Sequence, residues 1–438
     1  MITSKKASEI ILNRTEDFGV EEIPFLEATG RILKEEIVAD RDFPPFDRVS
    51  MDGIAIVYAV FESGRREFSI ENMQAAGSKQ VTLQNTENCI EAMTGAVLPK
   101  NTDAVIPYEL ISIKDGKATV NLEEIKQLQN VHLQGKDRKT GDILIQINTV
   151  ISPAEIGVLA TVGKASVKVA KQPKVMIIST GDELVEVSEN PLAHQIRRSN
   201  SYTLVALLES LHIRAETAHI VDDKPLLKQK IKQFLIDYDV LLFSGAVSKG
   251  KFDFVPEVLD ELGVKKLFHR VKQRPGKPFW FGVKDVLSMS EQDGRTASYG
   301  INKQDENKSL NTGECHSERV KRSEESHTVV FAFPGNPVST FVGCVKYFYP
   351  WYKKSIGIGF ENQQKAILSE DYFFKLELTY FLQVKLENNN GMLYATPITG
   401  NGSGDLANLA DADAFIELPD DKSAFKKGEV FPLIMYRG

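Results

Sequence analysis

The stretch Lys174-Val175-Met176-Ile177-Ile178-Ser179-Thr180-Gly181-Asp182-Glu183-Leu184 decides the fold class. An unbroken apolar run ends in two hydroxyls, a glycine and two carboxylates. A run without polar alternation predicts a strand buried on both faces, as in a parallel sheet covered by helices. The chain beyond it keeps that rhythm. An amphipathic helix is expected over Ser201–Leu211. Strands and helices then alternate over Ala215–Val221, Lys224–Leu235, Val240–Ser244, Val255–Leu262 and Lys265–Val271. This is a βαβ succession, and it predicts a parallel α/β domain. Ligands in such sheets sit at the carboxyl ends of the strands.

Before this domain the texture differs. Ala7, Ile10, Ile11 and Arg14 follow helical spacing, so a helix is expected over Lys5–Asp17 with Ser4 as cap. Residues 20 to 50 read as extended, with Asp42-Phe43-Pro44-Pro45-Phe46 as a stiff connector. Short strands follow between 53 and 135, at Ile54–Tyr58, Arg66–Ile70, Ala104–Pro107, Leu110–Ile113 and Ala118–Val120, which suggests a small β-domain. After the α/β domain, residues 360 to 438 again read as short strands: Lys375–Leu378, Leu382–Leu386, Leu393–Pro397, Ala414–Glu417 and Val430–Met435. Residues 286 to 327 break the pattern: the stretch from Ser290 to Thr328 is rich in Ser, Glu, Lys, Asn and Gly, too polar to bury a core, and reads as a disordered insertion. It separates the expected strands Pro278–Val283 and Val329–Phe333, after which a helix is expected over Val338–Phe348.

Composition narrows the function. The 438 residues suggest about three domains. Acidic residues number 60 and basic residues 53, a net charge of −7, which argues against a nucleic-acid partner. No apolar run approaches the ~20 residues of a membrane span, and the N-terminus runs straight into a polar helix pattern without the marks of a signal peptide. Cys89, Cys315 and Cys344 are odd in number and far apart, so neither a disulfide framework nor a cysteine zinc site is expected. A reducing cytoplasm fits best. The seven histidines are scattered, so a metal here would need carboxylate ligands, which favours a hard ion such as magnesium.

Five strand ends carry polar motifs, and each also has a plain structural reading. In Ser179-Thr180-Gly181-Asp182-Glu183 the hydroxyls and amides suit a phosphate and Glu183 a metal, or the segment is an ordinary turn. Asp222 and Asp223 suit magnesium or a ribose, or they cap the helix beginning at Lys224. Ser244-Gly245-Ala246-Val247-Ser248-Lys249-Gly250-Lys251-Phe252-Asp253 nearly matches a P-loop but has Phe252 where Ser or Thr would hold magnesium, so that class is rejected. Its small residues can still approach a phosphate through backbone amides, with Asp253 starting the next helix. Lys272, Arg274 and Lys277, stiffened by Pro275 and Pro278, are a solvated surface run or an anion site, and the buried strand Phe279-Trp280-Phe281 that follows at once favours the anion site. Pro334-Gly335-Asn336-Pro337 is a sufficient helix start and also a place for an anion to dock. Together the five predict one pocket for a phosphorylated or otherwise anionic ligand plus a hard metal.

Taken in order, the motifs resemble the MoeA/gephyrin family of molybdopterin molybdenumtransferases. The matching elements are Pro44 to Asp47 with Ser50-Met51-Asp52-Gly53; Met93-Thr94-Gly95-Ala96 with Asp103-Ala104-Val105; Gly135-Lys136-Asp137; Ser179 to Leu184; Ser244 to Asp253; Pro275 to Pro278; Pro334 to Ser339; and Gly402-Ser403-Gly404. They span nearly the whole chain outside the insertion.

The resemblance implies an elongated four-part homodimer. Its parts are residues 1–44 with 136–172 as a linker domain, 45–135 as a small β-domain, 173–358 as a molybdopterin-binding α/β domain like that of the adenylyltransferases (MogA-like), and 359–438 as a C-terminal β-barrel. It implies a cytoplasmic transferase that joins molybdate to adenylylated molybdopterin, forming molybdenum cofactor and releasing AMP with a divalent metal, Mg2+. The upstream partner is a molybdopterin adenylyltransferase, and the active site is expected between subunits. By resemblance Asp52, Thr94 and Asp137 join Glu183, Asp253 and Lys277 as catalytic candidates, and Ser403 joins the substrate-binding set. Lys272, Arg274 and Lys277 suit an oxyanion. Glu183, Asp222, Asp223 and Asp253 suit magnesium beside a phosphoanhydride. Three departures from the family stand out: Ala246 for a glycine, Gln383 for an arginine, and Arg274 for a lysine. The alternatives are adenylyl transfer to molybdopterin and a non-enzymatic scaffold like the animal member. The flanking β-domains argue against the first, and the retained Asp52, Thr94, Glu183, Asp253 and Lys277 argue against the second.

Overall fold

The computed structural model describes residues 1–245, 247, 253–285, 327–359, 363–375, 377–398, 400 and 402–437. Ala246, Ser248 and nearly all of the expected insertion lie outside them. His327, the last residue of that insertion, instead opens a strand. The chain divides into two compact units, Met1–Glu21 with Gly30–Ile32 and Val169–Gly438, and Glu22–Thr29 with Leu33–Lys168.

In the first unit a six-stranded sheet runs in the order Ala215–Ile220, Val175–Thr180, Val240–Ser244, His327–Phe333, Trp280–Asp285, Lys265–His269. The first four are mutually parallel. Trp280–Asp285 is antiparallel to both its neighbours, so the sheet is mixed where the sequence pattern suggested a parallel one. The apolar runs explain the layering. Alternate residues of a strand point to opposite faces. Val175 and Ile177 join a core with the helix Ser199–Glu209 and the helical stretch from Pro337 to Ser355. Met176 and Ile178 join the opposite core with Lys224–Asp237 and Val255–Glu261. Phe279, Phe281, Phe331 and Phe333 pack ring on ring in the first core, with centroids 4.9–6.2 Å apart.

Two expected elements change shape. The N-terminal helix is Ser4–Leu12, and its cap is Thr3, which accepts from the Lys6 amide. Ser4 is buried and hydrogen-bonds the Tyr347 hydroxyl at 3.1 Å instead. The segment expected as one strand over Lys265–Val271 breaks in two. Val271–Arg274 leaves the α/β sheet and pairs with Ile2–Thr3 on one side and Thr379–Asn389 on the other. It thereby extends the C-terminal sheet, whose strands Thr379–Asn389, Met392–Pro397, Lys365–Leu368, Val430–Met435 and Ala414–Leu418 close on themselves as a barrel.

The second unit holds a six-stranded sheet, in the order Ala104–Pro107, Gly53–Ile56, Cys89–Ala92, Glu67–Gln74, Lys117–Val120, Ile111–Lys114. Gly53–Ile56 is shorter than expected, because Tyr58–Glu62 turns helical where the Tyr58 amide donates to Asp103 at 2.6 Å. The helix Pro153–Thr161 is held by a reciprocal Ser152–Glu155 capping box.

Cys89 and Cys344 are both fully buried, and neither is in a disulfide. Burial, reinforced by Glu91 and Glu71, pushes the Cys89 thiol up to about 12, and burial alone raises Cys344. The thiolate is the reactive form. Neither residue is expected to take iodoacetamide at pH 8 in the native protein, and both should after denaturation. Peptide mass spectrometry reads this directly, and native labelling of either would contradict the packing.

Candidate functional site

The parallel strands of the first unit deliver their carboxyl ends to one cavity of 370 Å³. Ser179, Thr180, Gly181 and Glu183 reach it from the first strand and its turn, Asp222 from the second, Ser244 and Gly245 from the third. Asp253 and the turn Pro334-Gly335-Asn336-Pro337 complete the predicted part of its wall. Gly245 sits at φ +109°, a conformation L side chains rarely adopt, which lets the chain turn sharply off the sheet.

The carboxylates form one electrostatic cluster. Burial raises the Asp222 carboxyl above its ordinary range, and Asp182, Glu183 and Asp253 push it further. Asp182 accepts from the Asp222 amide at 3.0 Å. Asp223 is the helix N-cap, accepting from the Leu226 amide at 2.7 Å. Among the described residues no three metal-ligating side chains are gathered tightly enough to hold an ion alone. Magnesium rarely needs that, because it takes one or two carboxylates and completes its shell with phosphate oxygens and water. A partly buried Asp222 with Asp182, Glu183 and Asp253 close enough to repel it fits such an ion.

The raised Asp222 carboxyl is a stability cost at neutral pH. A carboxyl whose folded pKa is raised favours folding below its unfolded value, and that contribution is lost as pH rises through the folded value. Asp222→Asn is therefore expected to raise the thermal midpoint at pH 7 by roughly 1–2 °C, while weakening activity. A lowered midpoint would show that Asp222 is compensated by contacts rather than strained.

The cations lie elsewhere. None of Lys272, Arg274 and Lys277 lines the 370 Å³ cavity. Arg274 lines a second cavity of 60 Å³, with Gln383, Gly402 and Ser403 of the barrel side. Asn336 connects the two, since it borders the first and donates to the Ser403 hydroxyl at 2.8 Å. The Ser403 carbonyl in turn accepts from the Val338 amide. Gln383 accepts from Asn408 rather than facing the cavity unpaired.

A buried network fixes the cation loop. The Gln273 amide donates to the Pro275 and Gly276 carbonyls, both at 3.2 Å, and its oxygen accepts from Tyr347. Tyr347 lies in a π-helical turn, Cys344–Phe348, inside the helix that starts at the cavity. Such turns often occur at functional sites.

In the second unit, Asp52 Oδ1 accepts from the Thr94 amide at 2.6 Å and its hydroxyl at 2.7 Å. The Thr94 hydroxyl, with its amide, holds the Asp52 carboxyl below the usual range. Asp137 Oδ1 pairs with His132 Nε2 at 2.9 Å, and the Asp137 amide donates to the Phe43 carbonyl.

Sequence reasoning missed Arg198, Asn200 and Ser201, which line the larger cavity, and His132, Gln273 and Tyr347. A signal existed for the first three, in the polar run Arg197-Arg198-Ser199-Asn200-Ser201 before an apolar helix. No local signal marked the others.

Three family models match in succession: the MoeA N-terminal region (domains I and II) over residues 2–163, a probable molybdopterin binding domain over 176–354, and the MoeA C-terminal region (domain IV) over 365–436. The chain is 36% identical to a molybdopterin molybdenumtransferase of Synechocystis over 438 residues, 99% of each protein. It is 29% identical to one of Staphylococcus aureus, covering 99% of this chain and 95% of that protein. A solved MoeA structure from Pyrococcus horikoshii is similar over the full length of both chains, with TM-score 0.76 and 27% identity. Identity above one third along the whole length, with the three models in unbroken order, makes this chain a member of the MoeA family.

Proposed function

We propose that the protein is a molybdopterin molybdenumtransferase, which inserts molybdate-derived molybdenum into adenylylated molybdopterin and releases AMP. The carrying observation is the pair of cavities joined by Asn336. The larger has the size and polarity for a phosphorylated pterin, and the smaller suits a compact oxyanion. Ser179, Thr180, Ser244 and the 334–337 turn orient the pterin phosphate. Arg274 and Ser403 hold molybdate in the smaller cavity, with Lys272 and Lys277 adding positive charge from the same loop. Glu183, Asp222 and Asp253 are the residues that would hold magnesium. An ion bound by these carboxylates would supply Lewis-acid polarisation of the phosphoanhydride and charge stabilisation for the departing phosphate.

Asp52, Thr94 and Asp137 belong to the same reaction in this reading, and the working form is a homodimer. A molybdopterin adenylyltransferase in the same cytoplasmic compartment supplies the substrate. Among the described residues no helix is long and apolar enough to cross a membrane. Relatives named molybdenumtransferases match from end to end, which favours this reading over adenylyl transfer alone or a scaffold. The test is a single-turnover assay with adenylylated molybdopterin, molybdate and magnesium, following AMP and active cofactor together. Molybdate-dependent AMP release is expected. Tight ligand binding without AMP release would overturn the assignment.

A further inference from the structure

The larger cavity carries one feature that the carboxylates and the family motifs leave unexplained. Among the described residues, four buried side-chain polar atoms have no hydrogen-bond partner, and three of them belong to residues lining this cavity: Thr180 Oγ1, Arg198 Nε and Ser201 Oγ. Their residues are 6%, 9% and 2% exposed. A buried polar group without a partner costs about 1–3 kcal/mol. Three around one cavity are accounted for when a ligand satisfies them.

The chemistry of the three selects the ligand. Arg198 occupies the N-cap position of the eleven-residue helix Ser199–Glu209 and gives that helix no side-chain cap. The first amides of a helix carry partial positive charge and favour an anion. The Arg198 guanidinium and the Thr180 and Ser201 hydroxyls belong to residues lining the same cavity. Glu186 does not neutralise the fork completely: it takes one terminal nitrogen of Arg198 and leaves Nε. The Glu186 carboxyl is held below its usual range chiefly by Arg198, and Tyr202 fixes its other oxygen at 3.1 Å. The guanidinium is thus braced from behind.

We infer that Arg198, with Ser201 and Thr180, forms the phosphoryl-binding end of the cavity and takes a phosphate oxygen of the substrate's phosphoanhydride. The cavity is then polarised. Its carboxylate wall takes the cation, and its Arg198 wall takes the anion. A guanidinium suits this task because its planar donors match two phosphate oxygens. The inference rests on the reading of the cavity as a nucleotide-ester pocket.

The test uses the full chain with magnesium and two probes, AMP and adenosine, with affinities measured by calorimetry. Arg198→Gln is expected to weaken AMP roughly 10- to 100-fold and to leave adenosine unchanged. Arg198→Lys should recover part of the loss, and Ser201→Ala should give a severalfold loss for AMP only. Equal losses for AMP and adenosine, or an unchanged AMP affinity in Arg198→Gln, would overturn the inference and leave the pocket reading standing. Wild-type protein that binds neither AMP nor adenylylated molybdopterin would overturn the pocket reading itself.

Discussion

Gly53→Val is expected to lower the thermal midpoint of the protein by roughly 6–12 °C, from a cost of about 3 kcal/mol or more. Gly53 opens the central strand Gly53–Ile56, which is paired on one side with Cys89–Ala92 and on the other with Ala104–Pro107. A Cβ built at Gly53 would overlap the Ile106 carbonyl oxygen and press on the Pro107 Cα. Both are backbone atoms of a neighbouring strand, so no side chain can swing aside. The strand must shift, and Ile54, Ala55 and Ile56, all fully buried, shift with it. Differential scanning calorimetry decides this. A midpoint within 2 °C of wild type would mean that the sheet opens at this edge with little penalty, roughly under 1 kcal/mol.

Asp52→Asn is expected to lower kcat by about 10²- to 10⁴-fold while hardly moving the midpoint. Asparagine can still accept from Thr94 through its oxygen, so the turn survives and only the charge is lost. The Thr94 hydrogen bonds keep Asp52 ionised well below neutral pH. Its favourable contribution is therefore present above the ordinary carboxylate pKa and is lost as pH falls through the depressed folded value. Thr94→Val removes the largest cause of that depression and should move any acid limb due to Asp52 upward. Activity of Asp52→Asn within twofold of wild type would remove this carboxylate from the chemistry, whatever the melting curve shows.

Much of the site was legible because its parts are local. An apolar run that ends in hydroxyl, glycine and carboxylate specifies a buried strand and its turn within ten residues, and Ser179 to Glu183 lie where that reading put them. Asp223 was equally readable as a cap, because a cap needs only the amide three residues on. The cation loop was misplaced for a different reason. Its residues look like one more strand end, but Gln273 and Arg274 pair with Thr379 and Tyr380, more than a hundred residues away. Local propensity holds no information about that partner.

Sequence alone determined that a doubly covered α/β sheet exists and that its strand ends carry hydroxyls, glycines and carboxylates, since periodicity and turn residues act over a few positions. Tertiary structure alone decided that Trp280–Asp285 runs against its neighbours, that Tyr347 reaches Gln273 from a π-helical turn, and that Arg198 Nε, Ser201 Oγ and Thr180 Oγ1, on residues lining one cavity, are buried without a hydrogen-bond partner. Those outcomes depend on which distant strands and side chains win the competition to be buried together.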